Sequence, residues 1–307
     1  MSHHVVVGSG PVGAATARLL ADRGDDVVVV TRSGSGPDNV RVRRVPADAA
    51  DTDRLTALTK GAAALYNCAN PAYHRWTVEW PPLAAALLTA AERTGAVLAS
   101  VGNLYGYGPV SGRITEDLPL AATGPKGRVR AQMWIDARAA HRADRVRVTE
   151  VRASDYVCPG QQSHLGDRVA PRALAGRKVS VLRSADIPHT WTAVDDVARL
   201  LVTVAGDERG WGRAWHVPSN PARTQREAIA DLCRVAGVAP VPVGEHPAWL
   251  IRGLGLVNPV LREFQEVSYQ FEAPFVLDSS AAERTFGLVP TPWEDVLAEL
   301  VAAYRGQ

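Results

Sequence analysis

The stretch that most constrains this chain is its beginning, "VVVGSGPVGAATARLLADRGDDVVVV" from Val5 to Val30. A valine run is followed by Gly8, Gly10 and Gly13 in G-x-G-x-x-G spacing, then by a helical pattern that closes at Gly24, then by a second valine run. A turn of this kind between strand and helix needs glycine for three reasons: a tight reversal, approach of bare backbone to a phosphate, and close packing of helix on strand. The helix start also offers N–H groups without intrahelical partners, which suit an anionic pyrophosphate. The expected ligand is a dinucleotide held by Gly8, Ser9, Gly10, Pro11, Val12 and Gly13.

Where the second run ends, the residues are Thr31, Arg32 and Ser33. An acidic side chain there would accept from a ribose hydroxyl, whereas a guanidinium flanked by hydroxyls suits a ribose phosphate, because its fork matches phosphate oxygens. NADPH is therefore expected over NADH, with Asp38 in the next loop as a carboxylate that could still reach a hydroxyl. Asp48, in "PADAAD", is expected beside the adenine or as the N-cap of the helix that follows.

Further apolar runs at Ala63 to Tyr66, Val97 to Ser100 and Val146 to Val151 alternate with helical patterns at Thr52 to Thr59, Leu83 to Arg93 and Val129 to His141. Such a βαβ series predicts an α/β fold, a Rossmann-type doubly wound parallel sheet. From Ala222 onward, helices and Pro/Gly-rich connections predict a smaller C-terminal substrate lobe. The expected division is a dinucleotide-binding core over 1–160. Residues 161–307 would complete that core, through 189–220, and form the lobe, mainly over 222–307.

With 34 basic against 32 acidic residues, the chain has no field that would favour nucleic acid or an anionic membrane. Arg41, Arg43 and Arg44 read as a solvated strand edge. Cys68, Cys158 and Cys233 are odd in number and far apart, and the histidines show no ligand spacing, so no disulfide framework and no metal site is expected. The start lacks a charged leader with an apolar core, and no run approaches membrane-spanning length, so a cytoplasmic protein is expected.

In order and spacing, the Gly-rich turn, Asp48, "NCAN" at Asn67 to Asn70, "NLYGYGP" at Asn103 to Pro109, "VRASDYVCPG" at Val151 to Gly160, "HTWTAVDDVARLL" at His189 to Leu201 and "DSSAAERTFGLVP" at Asp278 to Pro290 resemble one family. It is the short-chain dehydrogenase/reductase superfamily in its extended, NAD-dependent epimerase/dehydratase-like form. The resemblance spans nearly the whole chain and implies that Cys68, Ala69 and Asn70 also line the cofactor. It implies as well a catalytic serine after the fifth strand, a tyrosine that moves the proton, and a lysine four residues beyond that tyrosine.

Here those positions fall on Val101, Lys126 and Arg130, with Ser100 one place early and turned to the other side of the strand. All three expected groups are absent. Lys126 and Arg130, four apart on one helix, should face the same way, toward the cofactor. Arg130 can act as a fixed charge, Lys126 as an acid if burial lowers its pKa, and Asn103 and Tyr105 as alternative hydrogen-bond donors. Each also has a plain structural role open to it. A phenol on an aromatic polyketide substrate could assist by hydrogen-bonding the developing alkoxide.

Tyr107, His164, His189, Trp191, Trp249, Tyr269, Phe271 and Phe275 are the candidates to line an apolar substrate pocket, with core packing as the competing role. The expected function is an NADPH-dependent ketoreductase acting on a bulky aromatic ketone in bacterial secondary metabolism, as a monomer or homodimer. It resembles the atypical ketoreductases of angucyclinone-type biosynthesis, as in the simocyclinone pathway. Two alternatives stand beside it: a nucleotide-sugar epimerase or dehydratase, and a non-catalytic NADP(H)-sensing regulator.

Overall fold

The computed structural model describes residues 1–246 and 266–306. Seven parallel strands form the central sheet: β1 (His3–Val7), β2 (Asp26–Thr31), β3 (Val42–Pro46), β4 (Ala64–Asn67), β5 (Val97–Asn103), β7 (Val148–Ala153) and β11 (Ala214–His216). Their order is β11-β7-β5-β4-β1-β2-β3, which reverses direction at β1 and makes the fold an α/β Rossmann-like one. The remaining strands are short pairs: β6 (Arg113–Ile114) with β13 (Val276–Leu277), β8 (Asp155–Val157) with β10 (Trp191–Ala193), and β9 (Val179–Leu182) with β12 (Val243–His246).

Period-two alternation along the strands builds two cores. Val6, Val27 and Val29 face one side, where α1 (Pro11–Asp22) and α6 (Val194–Gly206) cover them. Val5, Val7, Val28 and Val30 face the other, under α2 (Thr52–Thr59), α3 (Trp76–Thr94) and α4 (Pro125–Arg142). With both faces buried, the strands read as unbroken apolar runs. β3 is an edge strand, and Arg43 and Arg44 on it are exposed, as the solvated-edge reading expects.

Two helices begin earlier than the sequence suggests. α3 starts at Trp76 rather than Leu83 and carries Pro81 and Pro82 inside it. An interior proline costs about 3 kcal/mol. Burial of Trp76, Trp80, Leu83 and Leu87 offsets this, since one aromatic removes roughly 150–250 Å² from water at ~25 cal/mol per Å². α4 starts at Pro125, a residue suited to the first helical position, so Lys126 already lies within the helix.

A third core, that of the lobe, joins Val157, Leu165, Val179 and Trp191 to residues of α5 (Ala170–Leu174), α7 (Gln225–Val235) and α9 (Trp293–Arg305), so residues before Ala222 contribute to it alongside the C-terminal part. A capping box fixes the start of α7, with Thr224 and Glu227 bonding each other's backbone. α8 (Ser280–Phe286) returns to the sheet, where Ala282 and Phe286 join the α1/α6 side. Among the described residues, no helix is long and apolar enough to cross a membrane.

Candidate active site

A cleft of about 1210 Å³ runs along the carboxyl ends of the central strands and under the lobe. Its volume suits a dinucleotide together with a small substrate. At one end the Gly-rich turn is built as its spacing requires. Gly8 has φ +96°, and a Cβ there would lie 2.6 Å from the Cys68 carbonyl oxygen. A Cβ on Gly13 would lie 2.1 Å from the Gly8 oxygen, which is the close helix–strand packing assigned to the third glycine. Gly10 instead opens into the cleft, its nearest neighbour being the Gln162 side chain at 3.7 Å. No side chain caps the start of α1 and no acidic residue lies in its first turn, so its N–H groups remain available to an anion. These features fit a dinucleotide pyrophosphate.

Ser9, Pro11, Val12, Thr31, Arg32, Ser33, Asp48, Cys68, Ala69 and Asn70 line the same cleft, while Gly13 lies behind it. At the end of β2 the hydroxyls are tied together: Ser33 Oγ donates to Ser35 Oγ at 3.0 Å, Ser9 Oγ lies 2.9 Å from Ser35 Oγ, and Thr31 Oγ1 donates to the Ser35 carbonyl at 3.0 Å. Arg32 is exposed beside them. Asp38 turns to Arg44 at 3.6 Å and is not on the cleft wall. Asp48 does not cap α2; that role belongs to Asp51, which accepts from Arg54 N, while Asp48 accepts from Ala50 N at the cleft. The Cys68 thiol is pushed up to about 12 by burial, which makes it inert packing.

At the other end, the three altered positions have new partners. Ser100 is absent from the cleft wall and Val101 is on it. Arg130 donates to the Val101 carbonyl and lies 4.6 Å from the Trp80 ring, and burial lowers its pKa. Lys126 does not share its direction. Its ammonium lies 3.1 Å from Glu266 Oε2 and 5.0 Å from the centre of the Tyr73 ring, and it is missing from the cleft wall. The expectation that both would face the cofactor is thus corrected: Glu266 also accepts from the Lys126 backbone N–H at 2.7 Å and caps α4.

Asn103 and Tyr105 line the cleft. The Asn103 side-chain oxygen accepts from Tyr105 N at 3.2 Å, a turn role. The Tyr105 hydroxyl is in polar contact with Tyr73 and the Gln270 side chain, and burial pushes its pKa above the usual phenol range. Tyr73 and Tyr156, also on the wall, are pushed up by burial too.

Most of the aromatic residues read as substrate lining lie elsewhere. Tyr107 is buried in a small core with Leu104 and Phe275, its hydroxyl 2.8 Å from His216 Nε2. Trp191 is in the lobe core and donates to the Arg223 carbonyl at 2.9 Å. Tyr269 packs against the Tyr107 cluster, and Phe271 reaches only a small side pocket shared with Tyr105, His164 and Gln270. Trp249 lies outside the described residues. Among the described members of this set, His164 alone is on the cleft wall, beside Ser154 and Asp155, two polar residues the sequence reading passed over. Asp155 Oδ1 is 3.6 Å from His164 Nε2, and Asp155 Oδ2 is 2.7 Å from His189 Nε2. Those two histidines hold the Asp155 carboxyl below its usual range despite its burial. The available signal was an acidic residue in the otherwise apolar run after β7. Among the described residues, no group of three His, Cys, Asp or Glu could hold a metal ion.

Residues 5–217 match the family described as the NAD dependent epimerase/dehydratase family. The chain belongs to that family. Its solved structural neighbours cover the chain end to end at low identity. A dTDP-glucose 4,6-dehydratase from Bacillus anthracis, in complex with NAD, has a TM-score of 0.80 at 16% identity, covering 100% of this chain and 97% of its own. The UDP-glucose 4-epimerase of Thermotoga maritima, with UDP-glucose, has a TM-score of 0.79 at 16% identity, covering 99% of each chain. A dTDP-glucose 4,6-dehydratase from Streptomyces venezuelae, with NAD bound, has a TM-score of 0.75 at 21% identity, covering 99% of this chain and 97% of its own. At such identities the likeness is one of fold. No curated protein matches the chain.

Proposed function

We propose that this family member is an NADP(H)-dependent oxidoreductase working in the reductive direction on a carbonyl of a small molecule. The observation that carries the reading is the state of the proton-transfer slot. Lys126 is bound to Glu266 and Arg130 to the Val101 carbonyl, so the tyrosine and lysine positions offer no ready base to take a proton from a carbinol. The phenols that do line the cleft, Tyr73, Tyr105 and Tyr156, have raised pKa values and stay protonated, which makes them donors to a developing alkoxide.

When bound, a reduced nicotinamide supplies the hydride. The chain's own part is to hold and orient. Gly8, Gly10 and the start of α1 would take the pyrophosphate, and Arg32 with Thr31 and Ser33 the ribose phosphate. Arg130, close to Tyr105 and Tyr156, supplies a fixed positive charge beside the cleft.

For the substrate, two readings compete. The loss of the usual tyrosine supports a bulky aromatic ketone that assists its own reduction. The nucleotide sugars handled by the structural neighbours, and a cleft wall of Ser154, Asp155, Gln161, Gln162, His164 and Arg168, support a polar, oxygenated substrate. Tyr107 and Trp191 are in cores rather than on the wall, which removes two aromatic contacts from the ketone reading, and the structural neighbours make a nucleotide sugar the better-supported class. The test has two arms. NADPH oxidation is followed with tetralone and emodin in one arm and with the keto-sugar nucleotide dTDP-4-keto-6-deoxyglucose in the other, the reduced sugar being identified by NMR. Sugar conversion with aromatic ketones inert assigns the nucleotide-sugar class, and the converse assigns the ketone. Absence of binding to either nicotinamide cofactor removes the oxidoreductase reading altogether.

A further inference from the structure

We propose that Asp155 and His164 form the proton-handling pair of this cleft, with His189 holding the carboxylate in place; the assignment rests on the oxidoreductase reading above. Asp155 opens β8, just past the end of β7, at the carboxyl edge where ligands of such sheets bind. It shares the cleft wall with His164, Tyr105, Ser154 and Gln270.

The two histidines have different access. His189 is fully enclosed, its ring stacked on Phe271 at 4.6 Å and on Phe275 at 5.2 Å. Its Nδ1 faces the Gln270 carbonyl at 3.3 Å, and its Nε2 lies 2.7 Å from Asp155 Oδ2, a charge contact without hydrogen-bond alignment, and 3.4 Å from Ser154 Oγ. The enclosed ring is fixed as a support that cannot reach a substrate. His164 meets Phe271 at 4.8 Å and Asp155 Oδ1 at 3.6 Å, and its ring borders the cleft. The arrangement is an imidazole at the substrate, a carboxylate behind it, and a second imidazole behind the carboxylate.

The groups facing His164 set its proton affinity. Burial, His189 and Arg168 lower its pKa, and Asp155 raises it. Tyr105 and Arg183 border it in the side pocket. A reduced nicotinamide, when bound, would supply the hydride for the new C–H bond, and the carbonyl π pair would move onto oxygen. That oxygen forms its O–H bond with a proton from a ring N–H of protonated His164. The N–H electron pair stays on the ring, and solvent restores the proton. Tyr105, raised further by the Asp155 carboxylate, orients the oxygen as a hydrogen-bond donor.

The experiment uses the full chain labelled with 13C-histidine, with the His164 resonance assigned by its loss in His164→Gln. A pH titration of the protein without cofactor is expected to give a His164 midpoint below the ordinary imidazole value, and Asp155→Asn is expected to move it lower still. An unchanged midpoint in Asp155→Asn overturns the pair. Kinetics on whichever probe the wild type converts give the second reading. His164→Gln is expected to cut kcat by about 100-fold or more with little change in KM, and to abolish the rise in rate toward acid pH. Asp155→Asn should shift that limb, and His189→Gln should shift it without removing it. If His164→Gln retains kcat while Tyr105→Phe loses it, the phenol is the acid and the proposal falls. If the wild type converts no probe, the oxidoreductase reading fails on its own, and the titration still decides whether the pair exists.

Discussion

Glu266 grips Lys126 twice, accepting from its backbone N–H at 2.7 Å and from its ammonium at 3.1 Å. One carboxylate thereby caps α4 and neutralises a nearly buried cation that stands where relatives of this fold would be expected to carry a tyrosine. Removing either partner weakens the hold on the other. Glu266→Gln is expected to destabilise the chain by roughly 2–4 kcal/mol in urea unfolding, because the buried ammonium loses this carboxylate and α4 loses its cap. Lys126→Met combined with Glu266→Gln should recover much of the loss. Turnover retained in the double variant would mark Lys126 as structural; turnover lost with stability recovered would mark it as a proton donor.

We propose that Arg32 sets a preference for NADPH. A charged hydrogen bond contributes about 1.5–3 kcal/mol, or roughly 10- to 100-fold in affinity. Arg32→Ala should weaken NADPH by that factor and leave NADH nearly unchanged, as read by quenching of tryptophan fluorescence. Equal weakening of both cofactors would mean that the guanidinium does not meet the ribose phosphate.

Gly10 and Gly13 separate binding from folding. An alanine at Gly13 would place its methyl 2.1 Å from the Gly8 oxygen, so α1 must move off the sheet. Gly13→Ala is expected to lose roughly 1–3 kcal/mol of stability and the dinucleotide with it. At Gly10 the added methyl would enter the open cleft, so Gly10→Ala should keep wild-type thermal stability while its cofactor affinity collapses. A destabilised Gly10→Ala would contradict the geometry of the turn.

The contrast between these glycines and Lys126 explains how far the sequence could be read. Gly13 packs on Gly8 within one turn of chain, and Thr31, Arg32 and Ser33 sit at the end of one strand, so spacing alone locates them, whereas Gly8 against Cys68 and Gly10 facing Gln162 are long-range placements. Lys126 and Arg130 were correctly placed on one helix four residues apart, but their directions depend on partners far away. Glu266, 140 residues later, takes Lys126, and the Val101 carbonyl takes Arg130. Tyr107 and Trp191 show the same limit, because whether an aromatic lines a cleft or fills a core is decided by long-range packing. Asp155 was marked locally only as an acidic residue after β7; its meaning comes from two histidines that the lobe brings beside it.

His216 predicts how stability responds to acid. Its Nε2 accepts the Tyr107 hydroxyl at 2.8 Å and its Nδ1–H donates to the Asp278 carbonyl at 2.9 Å, so the neutral ring satisfies both. Burial, aided by Arg152, lowers its pKa from 6.5 to about 4. Between those values the unfolded chain binds a proton at this position that the folded chain refuses. The contribution is fully present above pH 6.5 and is lost as pH falls through about 4. The full loss is about 3 kcal/mol at 1.36 kcal/mol per pKa unit. Urea unfolding at successive pH values should show stability falling toward acid. His216→Gln should be less stable at neutral pH, because its side chain fits the two partners less well, but should show a shallower decline. A decline of equal slope in both proteins would move the acid sensitivity to other groups, with His4, also lowered by burial, as the next to replace.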